Sequence, residues 1–382
     1  MEVTMMSRQR DMVEATARGD SSIQQFYCNS TVFITGGSGF LGKQLLEKLF
    51  RSCKIRKVYL LMRSKKNQNI HQRFTEMLKD PVYDPLYQTD PGFAERITPV
   101  EGDVSQLRLG LSVEDWKTIT EEVTIIYHAA ATVRSMVHVS TAYSHATANR
   151  VGKEVEDRFY PAPMQPDTLI QLTESVDAGK LEDITKPFTK AVAEEAVRIM
   201  GEDLPVCIIR PTIVDYVNNA TIAAGWETGA RWDDGERGTR VYNVTTARKG
   251  MIWETSNYYL HLLYTIFLHY IPAYLVDGVS SLFGKKTGLL ALYKKVYKMT
   301  IVMRYFTTNE WIFKDENTVR LRKRMSENDR LIYNFDITDI NISELVVLWV
   351  LGLRKYVVKD GLKNTQVGLD RQQKFKIITY VM

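Results

Sequence analysis

The stretch Ser30–Ser52, STVFITGGSGFLGKQLLEKLFRS, decides the fold. Thr31 to Thr35 is short, β-branched and aromatic, the composition of a buried strand. From Lys43 to Phe50 the spacing is helical, with Leu41, Leu45, Leu46 and Leu49 on one side. Between them the glycines repeat as G-x-x-G-x-x-G, from Gly36 through Gly39 to Gly42. Glycines there permit a tight turn and let backbone N–H groups approach a pyrophosphate. The helix N-terminus adds a favourable dipole. A glycine-rich turn alone is an ordinary βα loop; strand, turn and helix in this order are the context a dinucleotide site requires. The fold class that follows is α/β, a Rossmann-type doubly wound parallel sheet. Thr35, Gly36, Gly37, Ser38, Gly39, Phe40, Leu41 and Gly42 are its expected cofactor-binding turn.

Working outward, KVYLLMRSKK (Lys57–Lys66) reads as the next strand, with Arg63 where such folds read the adenosine ribose. An acid there accepts from a 2′-hydroxyl, whereas an arginine suits a 2′-phosphate. Arg63, followed by Lys65 and Lys66, favours NADPH over NADH; the plain alternative is a solvated basic loop. ITPVEGDVS (Ile97–Ser105) reaches Asp103 and Val104, placed to meet the adenine. VTIIYHAAATVR (Val123–Arg134) ends in small residues, Ala129, Ala130 and Ala131, that leave room for the cofactor.

The chain has 382 residues, 45% hydrophobic and 25% charged, with a net charge of +5, an ordinary globular balance. That excess of positive charge is too small to argue for nucleic acid. Three scattered cysteines imply a reducing compartment without a disulfide framework, and six histidines without ligand spacing imply no metal. Met1–Ser22 is polar, without a signal-peptide core, and is expected to be a mobile arm. Thr255–Val276 carries no Asp, Glu, Lys or Arg and is long enough to span a bilayer, yet its five tyrosines, two histidines and Pro272 fit a buried or interfacial helix equally. Leu289, Leu292, Val296, Met299 and Met303 lie at helical intervals, opposite Lys294, Lys295 and Lys298, as in a core helix or one at a membrane.

Taken in order, TGGSGFLG, the strand ending in Arg63, GDVS, HAAATVR and VHVSTAYS resemble the extended short-chain dehydrogenase/reductases. With FTKAVAEE (188–195) and IIRPTIV (208–214) they resemble more closely the alcohol-forming fatty acyl-CoA reductases. FLHYIPAYLVDGVSSLFGKK, YFTTNEWIFKDENT and NFDITDINISELVVLWVLGLRKYVVKD resemble the helical, male-sterility-type C-terminal domain of that family. The resemblance covers about residues 23–362. It implies NADPH-dependent reduction of long-chain fatty acyl-CoA to a primary alcohol in lipid metabolism. It also implies an intracellular, membrane-associated location in peroxisome or endoplasmic reticulum. In the implied site, Ser140 or Thr141 holds the carbonyl oxygen, a choice the sequence leaves open. Lys190 bonds the nicotinamide ribose, and Pro211 lies beside the nicotinamide. The family's proton-donating tyrosine, four residues before that lysine, falls on Lys186, followed here by Pro187.

Lysine is a strongly hydrated point charge and a poor replacement for a phenol, and Pro187 biases Lys186 out of the helical region. The family's helix between HAAATVR and VHVSTAYS is also missing. About five residues, ~17 Å fully extended, join strands that need a crossover, so a deletion is expected near Arg134–Ser135. A second is expected near Val214–Asp215, where RPTIV runs straight into a helix-like segment. Loss of the crossover helix is expected to expose one face of apolar strand. The expected organisation is an arm (1–22), an NADP-binding domain (23–255), a mainly helical domain (256–365) and a tail (366–382). Three readings stay open: a reductase with impaired turnover, a silent acyl-CoA- or partner-binding relative, or another extended short-chain reductase. The sequence leaves the oligomeric state open.

Overall fold

The computed structural model describes residues 2–64, 68–127, 135–175, 189–212, 217–245, 258–282 and 311–336, with isolated residues between 290 and 309 and at 351. The strands among these described residues are β1 (Thr31–Ile34), β2 (Lys57–Met62), β3 (Ile97–Glu101), β4 (Ile125–Tyr127), β5 (Ser135–Val139), β6 (Glu154–Val155), β7 (Val206–Pro211), β8 (Arg240–Val244) and β9 (Ile312–Phe313). Seven form one parallel sheet in the order β3-β2-β1-β4-β5-β7-β8, and β6 pairs with β9 separately. The order reverses at β1, whose neighbours are β2 and β4. A crevice therefore opens at the carboxyl ends of β1 and β4, where such sheets bind their ligands.

Successive strand residues point to opposite faces, so both faces of this apolar sheet need cover. Val32, Ile34, Leu60, Tyr127 and Ile209 pack under the helices Ser22–Tyr27, Phe40–Ser52 and Val217–Asp233. Phe33, Tyr59, Ile126 and Met136 face the other way, with Ile119 of helix Val113–Glu122 and Val197 of helix Thr189–Met200.

The β4–β5 connection is 128–134, seven residues rather than about five, and it lies outside the described residues. Ser135 pairs level with Ile125, so the chain returns along only a three-residue strand. That is two steps, about 7 Å, a distance within the reach of seven residues. The expected exposure of the strand face does not occur: Ile126 is 0% and Met136 7% accessible. Ile119, Val123 and Val206 fill the space, and Leu109, Leu111, Val197 and Leu204 close its edges. At the second junction, β7 ends at Pro211 and the next helix begins at Val217, with 213–216 outside the described residues.

Two further segments pack on the nucleotide-binding unit. Residues 2–18 form a helix, Glu2–Arg18, whose Ala15 is buried in the main core. Arg18 donates to Asn328, and Gln24 bridges Thr16 O and Ser52 O. The segment 311–336 packs on the nucleotide-binding unit. Leu321, Met325, Ile332, Tyr333 and Phe335 enter the main core. Thr318 donates to Asn243 O, and Asp329 accepts from Ser21 Oγ and Ile23 N. Between these lies a helical run from Tyr258 to Leu282, with a π-turn at Thr265–Tyr270. The π-turn immediately precedes Pro272, whose ring and missing N–H disrupt a regular α ladder. Ala273 of this run is buried, while Tyr259, Phe267, Tyr274, Leu275 and Leu282 are exposed. Most of the Leu289–Met303 helix expected from the sequence, and all of 352–382, lie outside the described residues.

Candidate active site

The turn after β1 has the backbone its glycines require. Gly36 has φ +69°, in the left-handed region, and its carbonyl accepts from Gly39 N at 3.0 Å. Gly42, in the first turn of helix Phe40–Ser52, leaves no space for a side chain: a Cβ there would lie 2.4 Å from both Gly36 O and Gly37 Cα. At Gly37 a Cβ would meet Leu60 Cδ1 at 2.1 Å. The turn is thus pressed against its own helix and β2, and its N–H groups sit at the helix start, a cradle that fits a pyrophosphate. Phe40 and Leu41 are exposed and Ser38 half-exposed, so the side chains of this expected set do not fill the cradle. Thr35 donates its N–H to Tyr127 O and ties the turn to the end of β4.

A cavity of about 530 Å³ lies between the ends of β2 and β3, lined by Arg63, Ser64, Arg73, Glu101, Gly102, Asp103, Gln106 and Gly110. Arg63 and Asp103, expected from sequence, meet here, Nη1 to Oδ2 at 3.4 Å. Asp103 also accepts from the N–H and hydroxyl of Ser105, and these bonds, with Arg63, hold its carboxyl below the usual range. Arg73, on helix Ile70–Leu78, donates to the carbonyl of Arg63 and brings a second guanidinium to the cavity. The sequence reading missed it, since a lone arginine in a polar helix carries no distinguishing pattern. Val104 is exposed, whereas Lys65, Lys66, Ala129 and Ala130 lie outside the described residues.

At the reaction end the structure separates Ser140 from Thr141. Ser140 is buried, and its hydroxyl donates to Glu194 Oε1 at 2.5 Å. Thr141, half-buried at the start of the turn Ala142–His145, lies with Oγ1 3.4 Å from Pro211 O. Thr141 and Pro211 are therefore brought together, and the Ser140 hydroxyl is committed elsewhere. Lys190 is exposed in the first turn of helix Thr189–Met200, one turn before Glu194. Lys186 and Pro187 lie outside the described residues.

Glu194, 1% accessible, is the hub the sequence reading missed. Besides Ser140 it accepts from Ser144 Oγ at 2.8 Å and from Arg210 Nη2 at 2.5 Å, with His145 Nε2 at 3.1 Å. Burial pushes its carboxyl up, but His145, Arg210 and Ser140 outweigh this and hold it at about 2. Serine, histidine and glutamate meet here, but all are buried and both hydroxyls donate to the carboxylate, so no nucleophile is activated. The available signals were the carboxylate four residues after Lys190 and the arginine of RPT.

A glycine cradle at the switch point of a parallel sheet, with a cavity beside it at the ends of β2 and β3, is the layout of a Rossmann-type, nicotinamide-dependent oxidoreductase. Comparison with known proteins carries this further. A sequence model described as male sterility protein, NAD-binding, matches residues 34–136 and 134–257, and a second of the same description matches 268–360. The chain belongs to the male sterility protein family. "Fatty acyl-CoA reductase wat" of Drosophila melanogaster is 26% identical over 474 aligned positions, covering 95% of this chain and 91% of that one. "Fatty acyl-CoA reductase 1" of Homo sapiens is 28% identical over 473, covering 94% and 90%. Because 95% of this chain is roughly 363 residues, about 110 of the 474 positions have no residue here. The first family model also matches in two pieces that meet at 134–136, the β4–β5 link. Among solved structures, the reductase domain of a non-ribosomal peptide synthetase from Mycobacterium tuberculosis aligns with a TM-score of 0.46 at 16% identity, covering 89% of this chain and 96% of that one.

Proposed function

We propose that this protein binds NADPH and long-chain fatty acyl-CoA as a fatty acyl-CoA reductase whose alcohol-forming turnover is strongly impaired. The observation that carries the reading is the contrast between the two ends of the site. The glycine cradle and an arginine-lined cavity stand at one end, while the position of the proton donor is Lys186. Bound in the cradle, NADPH supplies hydride. Arg63 and Arg73, which line one cavity, would hold the adenosine ribose, where two guanidiniums favour a 2′-phosphate over a hydroxyl. Thr141, whose hydroxyl makes only a long 3.4 Å bond to Pro211 O, would turn it to the acyl carbonyl oxygen, and Lys190 would hold the nicotinamide ribose.

The family reaction converts a thioester to a hemithioacetal that loses CoA thiol to leave an aldehyde, which is reduced in turn to the alcohol. Each reduction delivers a proton to oxygen, and no phenol stands at the family position to give it. The exposed apolar helix Tyr258–Leu282 supports membrane association. Among the described residues, Leu262–Val279 is the one helical stretch long and apolar enough to cross a bilayer, and little of it is buried. A lipid-facing helix suits a lipid substrate.

The experiment is a thermal melt with saturating NADPH, NADH or palmitoyl-CoA. A ligand at 100 Kd stabilises by about 2.7 kcal/mol, a rise of several degrees. NADPH and palmitoyl-CoA are each expected to raise the midpoint, with NADH weaker. No shift with either nucleotide would remove the cofactor reading.

A further inference from the structure

Glu194 stands outside the reacting groups, yet it joins every element that carries one. Ser140, which gives it a hydroxyl, immediately precedes Thr141. Ser144 and His145 belong to the turn that Thr141 begins. Arg210, fully buried, immediately precedes Pro211 and contacts both oxygens of the carboxylate. Glu194 itself lies one helical turn from Lys190, on the same face. Arg210 extends the hub further, its Nη1 donating to Arg158 O at 2.9 Å in the loop before helix Pro166–Ser175. One carboxylate thus ties the end of β5, the end of β7, the start of the lysine-bearing helix and that loop into a single piece.

We infer that Glu194 is a positioning residue, fixing Thr141, Lys190 and Pro211 relative to one another so that the nicotinamide half of the cofactor is held in register with the acyl carbonyl. The inference rests on the proposed cofactor reading and deepens it. Its basis is geometric. The ends of β5 and β7 are already joined by Ser140 N–H to Ile209 O at 2.8 Å, and the buried carboxylate fastens the lysine-bearing helix to that joined pair; charge-assisted bonds to a carboxylate are short and directional. The adenosine cavity is built from β2, β3 and helix Ile70–Leu78, none of which touches this hub. The two halves of the site are therefore separable.

That separation supplies the test. Glu194→Gln keeps the shape and removes the charge. Binding of NADPH and of 2′,5′-ADP, which carries only the adenosine half, is measured on wild type and variant by calorimetry. The expected result is about a tenfold weaker Kd for NADPH with 2′,5′-ADP within twofold of wild type. Equal weakening of both ligands would show a purely structural role, and unchanged binding of both would show none; either overturns the inference. Should the variant not fold, Ser140→Ala, which removes one hydroxyl from the hub, is put through the same comparison and decides by the same criteria, with a smaller expected loss of about threefold. Wild type that binds neither ligand would instead overturn the cofactor reading itself.

Discussion

At the scale of single residues, the site divides into groups that announce themselves in the chain and groups that do not. The glycines do. Gly36 needs positive φ and Gly42 needs an absent Cβ, and both demands are local, so their spacing is readable in one dimension. Glu194 does not. Its partners are 54, 50, 49 and 16 residues away, and only the sheet brings them together. Arg73 is hidden for the same reason, reaching Arg63 from the following helix. A charge-assisted bond to phosphate contributes about 1.5–3 kcal/mol. Arg73→Ala and Arg63→Ala are each expected to raise the NADPH Kd about tenfold or more and the NADH Kd less than twofold, read by fluorescence titration. Equal losses for both nucleotides would place the arginines away from the 2′-phosphate.

At the scale of elements, the sheet order follows from motifs read in sequence, whereas two packing assignments do not. An amphipathic helix records which face is apolar, not which partner covers it. Helices Glu2–Arg18 and Glu327–Ile332 therefore gave no sign that they pack together against the nucleotide-binding unit. Lys48 marks this junction. It is buried in helix Phe40–Ser52, donates to Ile332 O at 2.7 Å and lies 5.2 Å from the centre of the Tyr333 ring. Cys53 Sγ is 3.0 Å from Tyr333 Oη beside it, and Glu47 and Arg51 flank it on its own helix. Burial, then Arg51, lower its pKa from 10.5 to about 7, against the opposing pull of Glu47. Between those values the unfolded chain binds more protons than the folded one, so this group's contribution to stability rises with pH; below about 7 the cost of burying the charge is fully present. The stability of wild type relative to Lys48→Met is thus expected to improve by on the order of 2 kcal/mol from pH 7 to pH 9, measured by urea unfolding. A difference that does not move with pH would contradict a lysine buried in this state.

For the whole molecule, the comparison with relatives and the fold describe the same event from two sides. About 110 aligned positions are absent, one break in the family match falls between β4 and β5, and the sheet nevertheless closes over the gap. The sequence reading placed that junction but overstated its cost, because β4 is only three residues long and neighbouring side chains cover Ile126. The helix Tyr258–Leu282 is the other large feature. Its exposed Phe267 and Leu275 are expected to carry the protein up a density gradient with phosphatidylcholine vesicles. Phe267→Asp with Leu275→Asp is expected to cut the floating fraction at least tenfold, and unchanged flotation would exclude this helix as the contact.

In the proposed reading the dinucleotide cradle persists while the proton donor has gone. The direct measurement is fatty alcohol formed from palmitoyl-CoA and NADPH by the wild-type chain, followed by gas chromatography against a no-enzyme control. Alcohol at or near background is expected. Alcohol formed at rates ordinary for enzymes, about 1–10 per second, would contradict it.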